Sequence, residues 1–175
     1  MIENLLEVTM NLSAVAHRSL FADCYARNDR EIVINIKTGK DITGVNLVFA
    51  DPYDCGIGSN VTWSGQTLPM HVVRELKNYY IFTATVTPKY RRLQYCFELF
   101  SDSEKIIMLE DDFYTEEQMA KPGRLLQYFK FPYINPCDVI KPPEWVSNTI
   151  WYQIMPDRFC NGGKHRKRIF QKNWE

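Results

Sequence analysis

No stretch of this chain approaches the roughly 18 consecutive apolar residues that a membrane-spanning helix requires, which excludes a helical membrane protein. Charge of one sign is missing too: 21 Lys and Arg balance 21 Asp and Glu. No global field therefore draws the protein to nucleic acid or to an anionic membrane, and a neutral partner is expected. The opening MIENLLEVTM holds Glu3 and Glu7 but no Lys or Arg. A secretory leader places basic residues ahead of its apolar run, so a cytoplasmic location is expected. The five cysteines, Cys24, Cys55, Cys96, Cys137 and Cys160, are odd in number and form no C-x-x-C pair, which argues for reduced thiols over a zinc or redox site. There is no internal repeat.

What remains is a chain of 175 residues with 45% hydrophobic, 24% charged and 14% aromatic residues, the composition of a folded globular domain with room for a tail. From Glu31 to Leu109 it reads as successive β segments with turn signals between them, the pattern of a sandwich or barrel. Glu31–Ile36 alternates and meets Thr38-Gly39-Lys40-Asp41, a turn that predicts a hairpin to Ile42–Ala50. Tyr80–Thr87 is dense in β-branched and aromatic residues until Pro88, which lacks the amide hydrogen a ladder needs. Arg91–Phe100 alternates again, with Leu93, Tyr95, Phe97 and Leu99 on one face, and Ile106–Leu109 is expected to return beside it. Between Ala50 and Met70 lies a long polar, glycine-containing loop carrying Tyr53 and Trp63. Pro132, Pro136, Pro142 and Pro143 then break up the chain and mark a boundary. Three regions are expected: a sandwich over 1–123, a linker over 124–148, and a segment over 149–175 that begins with the apolar strand candidate Thr149–Met155.

The segment Pro143-Glu-Trp145, followed by Ile150-Trp-Tyr-Gln-Ile-Met-Pro-Asp-Arg-Phe159 and Asn161-Gly162, closely resembles the barrel entry of neopullulanases, cyclomaltodextrinases and maltogenic amylases of glycoside hydrolase family 13. Leu47-Val-Phe-Ala-Asp51-Pro-Tyr53 and Phe129-Lys-Phe-Pro-Tyr133 resemble the carbohydrate-binding module of family 34 that precedes that barrel. The resemblance implies a mainly β chain: an immunoglobulin-like antiparallel β-sandwich, a linker, and the first strand of an incomplete (β/α)8 barrel. It implies a parent enzyme that hydrolyses α-glucosidic bonds of cyclodextrin, pullulan or starch oligosaccharides with retention, using two carboxylates about 5 to 5.5 Å apart. Those carboxylates belong to later barrel strands, so no catalytic residue is assigned and the 175 residues are expected to be inactive alone. The alternative is a non-catalytic module that binds α-glucan or dimerises. The match stops after Gly162 and gives way to a basic tail, the pattern of a frameshift or a badly closed reading frame.

Two aromatics are candidates for sugar binding. Tyr53 and Trp63 can stack on the C–H-rich face of a glucose ring, or they can cap the sandwich edge. In the resembling dimeric enzymes the Asp-x-Tyr loop helps to shape the partner subunit's active site, which implies a sugar-facing Tyr53 and a homodimer through the sandwich, with α-glucan or cyclodextrin as ligand. Asn161 falls where those enzymes often begin a calcium loop. Gly163, Arg166 and Lys167 replace the oxygen ligands that would complete it, and calcium takes about six to eight oxygens; no cofactor is expected. Lys164-His-Arg-Lys-Arg168 reads as a solvated tail rather than a nucleic-acid patch. Asp111-Asp112 and Glu116-Glu117 are adjacent carboxylates without an environment to split their pKa values. His17, His71 and His165 have no triad setting, and Trp145 is expected to pack the linker against the barrel base.

Overall fold

The computed structural model describes residues 10–20, 22–54, 63, 65–121, 126–139 and 141–155. It divides into two units, Met1–Ile140 and Lys141–Glu175. In the first unit strands form where β-branched and aromatic residues alternate: β1 (Cys24–Ala26), β2 (Ile32–Gly39), β3 (Gly44–Ala50), β4 (Gln66–Pro69), β5 (His71–Glu75), β6 (Tyr79–Val86), β7 (Leu93–Phe100), β8 (Lys105–Met108), β9 (Phe113–Tyr114) and β10 (Phe129–Phe131). Among the described residues they make a four-stranded sheet in the order β1-β2-β6-β5 and a six-stranded sheet in the order β4-β3-β7-β8-β9. β10 shares one side of β7 with β8: it pairs Leu93 to Tyr95, while β8 pairs Phe97 to Phe100. Every pairing is antiparallel.

The core lies between the layers. Ile32, Ile34, Ile36, Phe82, Ala84 and Val86 come from the first sheet and meet Val45, Leu47, Leu93, Tyr95, Phe97 and Leu99 from the second in one cluster. The outer face of the second sheet is covered as well. Cys96, Ile107, Leu109 and Tyr114 form a smaller cluster there, closed by Met119 of the short helix α1 (Glu116–Met119) and by Tyr128.

Several sequence expectations need correction. β2 and β3 do not form a hairpin, because they belong to opposite sheets. Each carries one aliphatic face, and those faces meet across the core rather than side by side, with Ile42 fully buried where the chain crosses. The polar stretch before Met70 contains β4, an edge strand on β3. That position tolerates Pro69, whose nitrogen cannot join a ladder. The chain then changes sheets at Met70, whose N–H donates to the Val45 carbonyl at 2.9 Å. The stretch expected as a linker from 124 onward supplies β10, and Phe129, Ile134 and Val139 enter the core. The prolines that suggested a boundary interrupt backbone pairing, yet they leave the side chains between them free to pack.

In the second unit Glu144–Asn148 is a 3-10 turn, and the Trp145 and Trp151 rings lie 5.6 Å apart. Thr149–Met155, expected as a barrel strand, carries no strand pairing among the described residues. A parallel strand is held by neighbours on both sides, and Ile150 is 95% exposed. Asn161, Asp157-Arg158 and the basic cluster 164–168 lie outside the described residues.

Candidate functional site

At the end of the sandwich where β3 stops and β7 begins, an open cleft of about 710 Å³ is bounded by the segment after β3, the start of β4 and the crossing from β6 to β7. Asp51 organises it. Its Oδ1 accepts the Tyr53 N–H at 2.9 Å, an Asx turn that folds the chain directly after β3. Its Oδ2 accepts Arg92 Nε at 2.7 Å. Its main-chain carbonyl accepts the Asp54 N–H at 3.0 Å and the Trp63 indole N–H at 3.1 Å. Partial burial by itself would raise the Asp51 carboxyl, but the Arg92 and Tyr53 hydrogen bonds outweigh it and hold the group below its ordinary value. The same bond raises Arg92 in turn.

The Arg92 guanidinium lies 4.6 Å from the Tyr53 ring centroid and 5.4 Å from that of Tyr90, within cation–π range of both. Tyr53 is 73% exposed and Tyr90 52%. The cleft wall also carries Asp54 and Lys89, so its two acids and two bases cancel. Gly65 allows the close approach of β4 to β3, since a Cβ there would come within 2.9 Å of the Phe49 nitrogen and of Val48 Cγ1.

The two aromatics singled out in the sequence part company. Tyr53 stands over the cleft. Trp63 is half-buried, with its ring 4.6 Å from that of Tyr128, and it lines a separate cavity of about 170 Å³ with Val48, Cys96 and Met119. Asp51 joins them, through its side chain on one side and its carbonyl on the other. Sequence reading missed Tyr90 and Arg92. The available signal was an aromatic and two arginines packed into the short crossing after Pro88, but nothing in the sequence sets that crossing beside Asp51.

The remaining candidates among the described residues are structural or lie at the surface. His17 is buried. Asp111 accepts the Tyr114 hydroxyl at 2.7 Å, and Glu116 pairs with Lys105 at 2.8 Å. Cys24, Cys96 and Cys137 are free thiols. Burial raises Cys24 to about 11 and Cys96 to about 12, which leaves both unreactive at neutral pH. Among the described residues no group of three or more His, Cys, Asp or Glu side chains could hold a metal ion, and no helix is long and apolar enough to cross a membrane.

Residues 10–135 match the family model described as "Alpha amylase, N-terminal ig-like domain". The chain belongs to that family. As an alpha-amylase N-terminal domain it has curated relatives that are much longer proteins. It is 37% identical to a cyclomaltodextrinase of Geobacillus thermopakistaniensis over 154 residues, covering 87% of this chain and 25% of the relative. It is 34% identical to the intracellular maltogenic amylase of Bacillus subtilis over 167 residues, covering 94% of this chain and 27% of that protein. A solved cyclomaltodextrinase structure superposes with a TM-score of 0.68 at 35% identity, over 82% of this chain and 23% of the other. The alpha-amylase N-terminal domain thus spans about a quarter of the length of the relatives it matches.

Proposed function

We propose that the sandwich is the glucan-facing N-terminal module of an α-amylase-family glycosidase of the cyclomaltodextrinase or maltogenic-amylase type. Hydrolysis of α-glucosidic bonds in cyclodextrin, pullulan or starch oligosaccharides is then the work of a barrel that follows in the parent enzyme. The observation that carries this reading is the match to named cyclomaltodextrinases over nearly all of this chain but only a quarter of theirs. In this reading the module supplies Tyr53 as a ring on which a glucose unit stacks, because an exposed phenol face matches the C–H face of a sugar. The name of the Bacillus subtilis relative supports a cytoplasmic site of action.

The reading makes two measurable claims. Incubated with β-cyclodextrin, the 175-residue chain should release no reducing sugar, whereas turnover that persists through purification would place a complete active site within it. By calorimetry the same chain should bind β-cyclodextrin, and Tyr53→Ala should weaken that binding by about tenfold, the scale of one lost aromatic stack.

A further inference from the structure

The same cleft shows more than one ring. Tyr53 is held on one face by the Arg92 guanidinium at 4.6 Å, and its high exposure leaves the opposite face open to solvent. The Tyr90 ring lies 5.4 Å from the same guanidinium, with the Lys89 amine also near it at 5.0 Å. With Nε engaged by Asp51, the two terminal amino groups of Arg92 are the donors it has left to offer. Arg92 is paired with Asp51, and the charged residues that line the cleft, Asp51, Asp54, Lys89 and Arg92, sum to zero, so no net charge favours an ionic ligand.

The backbone supports this. Arg91 adopts a φ of 58°, a left-handed conformation that a residue with a Cβ takes at a cost and that clusters at functional sites. The conformation is pinned by the Ile134 N–H, which donates to the Arg91 carbonyl at 2.6 Å. The strained residue is the one between Tyr90 and Arg92, and its geometry sets both side chains into the cleft that they line.

We propose that Tyr90 and Arg92 form the second half of the glucan site. Tyr90 is a second stacking ring, and Arg92 positions Tyr53 while donating hydrogen bonds to hydroxyls of a neutral sugar chain. This rests on the glucan reading of the cleft and extends it from one ring to a two-ring platform.

Titration calorimetry of the full chain with β-cyclodextrin and with maltohexaose tests it. Tyr90→Ala and Arg92→Lys should each weaken binding by about tenfold, the latter because lysine keeps the charge but loses the planar fork. Tyr90→Phe, which keeps the ring, should restore affinity to within about twofold of wild type. Tyr90 is exposed, so its variants leave the core intact, and unchanged melting curves for all three separate a loss of binding from a loss of fold. If Tyr53→Ala weakens binding while Tyr90→Ala and Arg92→Lys do not, the two-ring platform is overturned and the single-ring glucan reading stands. If wild type binds neither probe, both fall together. Tighter binding of dextran sulfate than of maltohexaose would overturn the assignment of a neutral ligand.

Discussion

His17 is the most constrained polar side chain in the core. Its Nδ1 lies 2.7 Å from the Asn35 carbonyl oxygen, which can only accept, so Nδ1 carries the proton and Nε2 accepts from the Tyr95 hydroxyl at 2.8 Å. Phe97 and Phe129 meet the ring edge-on at 4.8 and 4.9 Å. Burial lowers its pKa from 6.5 to about 4, against smaller opposing effects of the Asn35 bond and Asp23. The native state therefore binds fewer protons than the unfolded chain between those two values, so this stability is fully present above the window and is lost as the pH drops through it. The loss should reach on the order of 3 kcal/mol by the lower end. Urea midpoints measured down the window should show this slope and His17→Gln should flatten it; an unchanged slope in the variant would assign the effect to other groups. Thr38 presents the opposite case. Its hydroxyl is fully buried and has no hydrogen-bond partner among the described residues. Thr38→Val, which removes that hydroxyl at nearly constant shape, should leave the unfolding free energy unchanged or raise it by up to about 1 kcal/mol.

At the scale of elements, β10 decides where the domain ends. Phe129 stacks on Tyr95 with centroids 5.4 Å apart and pairs with it in the β7–β10 ladder. Phe129→Ala should cost about 3–5 kcal/mol, as for other large buried aromatics, read as a drop in the midpoint of chemical unfolding. A chain ended at Lys121 loses β10, Ile134 and Val139 from the core and should not fold cooperatively, whereas one ended at Ile140 should. Comparable melting transitions for the two would show that the sandwich is complete without β10. The crossing from β6 to β7 matters in a different way, because it moves the chain from one sheet to the other at the mouth of the cleft. Its strained residue and the two side chains that line the cleft, Tyr90 and Arg92, are bound up with that change of layer.

For the whole molecule, the second unit exposes Trp145, Ile150, Trp151, Tyr152, Ile154 and Met155. Exposed large apolar side chains in this number favour association. Sedimentation velocity should show the full chain self-associating more strongly with rising concentration than a chain ended at Ile140. A full chain that stays monomeric at every concentration tested would mean that this surface is not adhesive.

The sequence by itself determined the mainly β character of the chain, the face of β7 that points inward, the pairing of β7 with β8, and the family resemblance. It could do so because alternation, turn chemistry and motif spacing are local properties that a linear string carries in full. Tyr53 was legible for the same reason, as an aromatic in a recognisable loop. Tertiary structure alone decided that β2 and β3 face each other across the core, that residues beyond the prolines complete a sheet, and that Trp63 packs against Tyr128 while Tyr90 and Arg92 join Tyr53. Each of these depends on which distant segments meet when two apolar faces are buried against one another. That choice is made by the free energy of the whole packed core, so no window along the chain contains it.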